Sequence, residues 1–118
     1  MILLVDDDVA VRETAAEMLQ DLGYAVVQAA DGSEALGLLD QHSGVDVMVT
    51  DVRMPGISGL ELSDIASRRF SDLKIILMSG YFLPQPIKWR FLQKPFRTRD
   101  LDVAIRAELA LVSQNPVC

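Results

Sequence analysis

Apolar and polar positions along this chain follow two rhythms. Short unbroken apolar runs alternate with stretches in which apolar residues recur every three or four positions. The run Ile2 to Val5 predicts a strand buried on both faces. From Val9 to Leu22 the residues Val11, Ala15, Met18, Leu19 and Leu22 fall at helical spacing, Asp8 stands ready as the cap, and Gly23 ends the helix. "YAVVQA" predicts a second strand. "DGSEALGLLD" then predicts a helix after an Asp-Gly turn, with Ala35, Leu36 and Leu39 inward, and "VDVMVT" a third strand. Ser58 with Glu61 has the spacing of a capping box, opening a helix that buries Leu62, Ile65 and Ala66. "LKIILM" and "RFLQ" predict the fourth and fifth strands. Thr98 caps a last helix whose inner stripe is Leu101, Ala104, Ile105, Leu109 and Val112.

This alternation of strand and helix implies a parallel sheet covered on both faces, a doubly wound α/β fold. One crossover breaks the rhythm. Between Ser79 and Lys94 lies only "GYFLPQPIKWRFLQ", and the fifth strand takes the end of it. What remains is shorter than the roughly 10–12 residues such a crossover normally takes. It also contains Pro84 and Pro86, with Gln85 pushed toward extended geometry. The fourth helix is therefore expected to be missing or reduced to an extended segment. Phe82, Leu83, Ile87 and Trp89 would then form an exposed patch for a partner or for self-association, the plainer alternative being that they fill the space the helix left.

Composition narrows the setting. The chain has 118 residues, enough for one domain with a real core, and half of them are hydrophobic. A net charge of −6 with no extended run of Lys or Arg argues against direct binding to nucleic acid. The lone cysteine, Cys118, cannot staple the fold and points to a reducing compartment. The sequence offers neither a membrane-spanning stretch nor the flanks of a signal peptide, so the expected location is cytoplasmic. Residues 1–118 read as one uninterrupted unit, complete in itself or cut from a longer protein.

Ligands of open parallel sheets bind beyond the carboxyl ends of the strands. Asp6 and Asp7 follow the first strand, Asp51 the third, Ser79 the fourth and Lys94 the fifth. Each alone suits a turn or a cap; together at successive strand ends they suggest a site. Clustered carboxylates bind a hard divalent cation such as Mg²⁺, which also relieves the repulsion within "DDD". A carboxylate beside that cation can attack phosphorus and become an aspartyl phosphate. Lys94 supplies positive charge there and Ser79 a hydroxyl for a phosphoryl oxygen.

The motifs "LLVDDD", "AADGSEAL", "DVMVTDVRMPGISGLEL", "IILMSGY" and "FLQKPF" resemble, in order and spacing, the receiver domain of two-component response regulators. The resemblance implies a flavodoxin-like five-stranded sheet in the order 2-1-3-4-5. It implies that Asp51 accepts phosphate from a phosphohistidine on a sensor histidine kinase or histidine phosphotransfer domain. Mg²⁺ or Mn²⁺ would be held by Asp7, Asp51 and the backbone carbonyl of Arg53, with Asp6 acting through water. Ser79 would be the switch hydroxyl, Lys94 its salt-bridging partner, and Pro95 would follow a cis peptide bond. Phe91 takes the place of the family's switch aromatic but lacks the hydroxyl of the usual tyrosine. Arg53 and Tyr81 occupy the positions flanking the hydrolytic water, and offer it neither carboxylate nor carboxamide. Slow loss of phosphate is the expectation, and the chain would not be a turnover enzyme.

Two rivals stay in view. A phosphatase of the haloacid dehalogenase type needs a second acid two residues after its nucleophile, where this chain has Arg53. A pseudo-receiver that only binds partners would typically lack part of the Asp and Lys set. His42 reads as a solvated helix-end residue rather than a phosphodonor. Phe82, Phe96 and Trp89 read as packing or partner-contact residues rather than a cofactor box.

Overall fold

The computed structural model describes residues 1–81 and 87–111. Five strands, β1 (Ile2–Val5), β2 (Val26–Ala29), β3 (Val47–Asp51), β4 (Lys74–Ser79) and β5 (Arg90–Gln93), form one parallel sheet in the order β2-β1-β3-β4-β5. Four helices complete the described residues: α1 (Val9–Asp21), α2 (Gly32–Gln41), α3 (Gly59–Arg69) and α4 (Thr98–Leu109).

Strand residues point alternately to opposite faces, and each face carries its own core. Ile2, Leu4, Val47, Val49, Ile76 and Met78 face α1 and α4, where they meet Ala15, Leu19, Leu101 and Ile105. Leu3, Val5, Met48 and Leu77 face α2 and α3, meeting Ala35, Leu39, Leu62 and Ala66. The central strands are apolar on both faces, which is why their sequence shows no alternation. The helix caps follow the local chemistry. The Val11 N–H donates to Asp8, the Glu34 N–H to Asp31 and the Glu61 N–H to Ser58. Gly23 ends α1 with φ of +95°, a conformation that disfavours any side chain.

Several expected details differ. Arg97, not Thr98, stands at the cap position of α4, where its N–H donates to Asp100 at 3.0 Å. The inner stripe of α4 ends with Glu108 in place of Leu109, which is exposed. Glu108 is accommodated there because Arg90 Nε on β5 lies 2.8 Å from its carboxylate. Val11 lies at the exposed margin of α1, whose buried residues are Ala15, Ala16 and Leu19.

Among the described residues no helix lies between β4 and β5. Residues 80, 81 and 87–89, at the two ends of that crossover, are not helical, which leaves no room for a continuous helix of ten or more residues. Phe82, Leu83, Pro84, Gln85 and Pro86 lie outside the described residues, and with them the expectation of an extended segment; Val112 and Cys118 lie outside as well. Of the four patch residues, Ile87 and Trp89 are described, and both are half-buried against the α2–α3 core, the position that the plainer alternative of filling space gives them. No described helix is long and apolar enough to cross a membrane.

Candidate functional site

The carboxyl ends of β1, β3, β4 and β5 meet at one rim of the sheet. Asp51 and Ser79 are the last residues of their strands, while Asp6 and Lys94 come immediately after theirs. Asp6 is completely buried, an expensive place for a charge unless every oxygen is answered. One carboxylate oxygen accepts from the Asp8 N–H at 2.9 Å and the other from Lys94 Nζ at 3.0 Å. Its backbone carbonyl accepts from the Arg12 guanidinium at 2.8 Å. The carboxylate of Asp51 accepts from the Val52 N–H at 2.9 Å and has the same Lys94 ammonium 3.5 Å away.

Asp7 points to the exposed side of this group. Asp6, Asp7 and Asp51 each offer a carboxylate oxygen, and the three oxygens lie within 4.8 Å of one another. A donor set made only of oxygens, with more negative charge than one ammonium can answer, suits a hard divalent cation. Burial, the strongest influence on Asp51, holds its carboxyl above the usual carboxylate range. The Lys94 charge opposes that rise, the Asp6 charge adds to it, and the Val52 N–H works against it.

Ser79 is buried beside Asp51, with its hydroxyl oxygen accepting from the Tyr81 N–H at 3.0 Å. Its carbonyl accepts from the Lys94 N–H at 2.8 Å, which fastens the end of β5 to the end of β4. The Lys94–Pro95 peptide is cis. The side chain of Arg53 does not join the carboxylates; its guanidinium lies over the Tyr81 ring, 4.1 Å from the centroid. Phe91 packs against the α2–α3 core, and His42 caps the C-terminal end of α2, by the amino ends of β3 and β4 and so at the opposite rim from the acids.

Two contributors escaped the sequence. Gly59, the first residue of α3, donates its N–H to the Val52 carbonyl at 2.8 Å, and a Cβ there would overlap the Asp51 carbonyl oxygen. Only glycine lets α3 start this close to the end of β3. Its signal was present in "PGISGLEL", where the second glycine immediately follows the capping serine. Arg12 had no comparable signal. Its reach from α1 back to the Asp6 carbonyl exists only once the helix is docked.

A family model described as response regulator receiver domain matches residues 2–106. The chain is 38% identical over 116 residues to the sensor kinase CckA of Brucella abortus, covering 92% of this chain and 12% of the kinase. It is 39% identical over 115 residues to the transcriptional regulatory protein FixJ of Azorhizobium caulinodans, covering 90% of this chain and 53% of FixJ. The chain thus spans about half of one relative and a small part of the other. Among solved structures, the receiver domain of the hybrid histidine kinase CckA superimposes with a TM-score of 0.80 at 36% identity, covering 92% of this chain and 97% of that one. The response regulator TrrA of Thermotoga maritima, solved in complex with Mg²⁺-BeF, superimposes with a TM-score of 0.83 at 32% identity, covering 90% and 96%. Sheet order, the acid cluster at the rim and these matches agree, and the chain belongs to the response regulator receiver domain family.

Proposed function

We propose that this chain is a phosphoacceptor in a two-component relay, taking a phosphoryl group onto Asp51 from a phosphohistidine of a sensor histidine kinase or histidine phosphotransfer domain. The observation that carries this reading is the Asp51 carboxylate, held by the Val52 N–H and Lys94 within 4.8 Å of the oxygens of Asp6 and Asp7. An Asp51 oxygen forms the new bond to phosphorus while the bond from phosphorus to the histidine nitrogen breaks, its electron pair staying on the imidazole. Asp6, Asp7, Asp51 and the Arg53 carbonyl would hold Mg²⁺ or Mn²⁺, which supplies charge neutralisation for the transferring group. Lys94 donates to a phosphoryl oxygen. The Ser79 hydroxyl, already accepting from Tyr81, keeps its own proton free to donate to another. The product stays attached, so the protein is a switch rather than a turnover enzyme, and Phe91 can follow the change by altering its rotamer.

The test is acid- and base-labile incorporation from a small phosphodonor such as acetyl phosphate, in the presence of Mg²⁺. Wild type labels once and Asp51→Asn loses essentially all label, since an amide is no nucleophile at this site. Undiminished labelling of that variant would remove Asp51 from the role.

A further inference from the structure

The loop between β3 and α3 is pinned at both ends by backbone bonds. The Val52 N–H donates to the Met78 carbonyl at 3.1 Å, and the Gly59 N–H to the Val52 carbonyl at 2.8 Å. Its middle is held from outside, at Gly32, the buried first residue of α2. A Cβ at Gly32 would lie 2.4 Å from Cγ1 of Ile57 and 2.5 Å from its Cδ1. Carbon atoms meet at roughly 3.5–4.0 Å, so Ile57 rests flush on the backbone that opens α2. The backbone itself does not ask for glycine there: positive φ occurs at Gly23 and Gly56 and not at Gly32. Alanine would suit the start of a helix better, because it loses less backbone freedom on folding. The space that Ile57 fills is what excludes it. Ile57 is half-buried against the α2–α3 core, and its branched Cβ leaves it few rotamers with which to step aside. Asp7, Asp31, Gly32 and Ile57 line one cleft, so this seat adjoins the acid cluster.

We infer that Gly32 is a positioning residue for the cation: its notch seats Ile57, and the seated loop aims the Arg53 carbonyl at the site. This deepens the proposed function and rests on it, since it takes that carbonyl as a ligand of Mg²⁺. The carbonyl belongs to the peptide that leads away from the pinned Val52 toward Ile57. Its direction is therefore set by what holds the loop beyond it. Filling the notch drives Ile57 off α2 and turns the carbonyl with it.

The experiment is a double-mutant cycle on Mg²⁺ affinity, read by calorimetry on wild type, Gly32→Ala, Ile57→Ala and the double variant. Gly32→Ala should bind Mg²⁺ about tenfold more weakly, the lower end for losing a group that orients a metal ligand. Ile57→Ala, which empties the seat, should weaken binding as well. Adding Gly32→Ala to it should change nothing further, because both clashing atoms are gone. Melting temperatures without the cation read the seat separately. Gly32→Ala should lower the melting temperature in the wild-type background. It should raise it in the Ile57→Ala background, where only alanine's preference for the helix is left. Wild-type Mg²⁺ affinity in Gly32→Ala, or the same loss in both backgrounds, would overturn the seat while leaving the phosphoacceptor reading intact. If Gly32→Ala does not fold, recovery of the fold in the double variant supports the seat, and continued failure overturns it. A wild type that binds no Mg²⁺ would instead overturn the cation site of the proposed function, and this inference with it.

Discussion

One ammonium stands between two carboxylates at the rim, 3.0 Å from Asp6 and 3.5 Å from Asp51. Asp6 has answered both its oxygens; Asp51 is the member left in debt, held above the usual carboxylate range chiefly by burial. A carboxyl whose pKa rises on folding favours the folded state when protonated. That contribution is complete below the unfolded-state pKa and is lost as the pH climbs through the folded-state value. At neutral pH the ionised Asp51 therefore weakens the fold it serves. Asp51→Asn should raise the melting temperature at pH 7, in the absence of divalent cation, by a few degrees, the response to about 1 kcal/mol in a domain of this size. The gain should shrink as the pH falls toward the acid range where wild-type Asp51 becomes protonated. Thermal melts at pH 7 and pH 4 check it, and an equal or lower melting temperature at pH 7 would contradict it. The residues of this site were legible because each sits at a strand end, a position the apolar runs mark. Gly59 and Arg12 were not, because their roles arise from how closely α3 and α1 approach the sheet, and no local pattern encodes that distance.

At the scale of elements, sequence periodicity located every described strand and helix but misjudged which residues finish them. Leu109 had the better claim to the inner stripe of α4 on hydrophobicity, yet Glu108 is the buried residue because Arg90 waits on β5 to pair with it. A pairing across elements is invisible to a pattern read along one of them. The same holds for Trp89, for which the sequence leaves an exposed patch and a space-filling role both open, and which lies at the margin of the α2–α3 core. Truncating it should act as a packing loss. Trp89→Ala should lower stability by roughly 2–4 kcal/mol, somewhat less than for a fully buried tryptophan. Loading of Asp51 from acetyl phosphate under native conditions should be unchanged. Urea titration gives the first quantity and label incorporation the second; unaltered stability would return Trp89 to the partner surface.

For the whole molecule, the alternation of strand and helix was enough to imply the parallel sheet, since parallel neighbours require crossovers and those crossovers share one hand. The order β2-β1-β3-β4-β5 came with the family resemblance, because many orders satisfy the same alternation. This architecture ties the stability of the entire domain to the charge balance at one rim. A divalent cation that binds only the folded chain should stabilise it by mass action, by about 1.4 kcal/mol at a concentration tenfold above its dissociation constant. Mg²⁺ should accordingly raise the melting temperature of wild type, and Asp7→Ala should abolish most of that rise. A full Mg²⁺ response in the variant would show that the cation binds elsewhere.

The bond between Lys94 and Asp6 joins residues 88 positions apart in the chain. Synthesis delivers the three acids long before it delivers the lysine that stands among them. A growing chain, even one with its first strands already paired, thus holds the carboxylates without their ammonium until β5 has emerged and docked beside β4 through the Lys94 N–H and the Ser79 carbonyl. An unfinished or truncated product carries Asp6, Asp7 and Asp51 but not the ammonium that stands among them. The charge balance of the rim thus arrives only with the last strand, so the order of translation decides when the three acids gain their lysine.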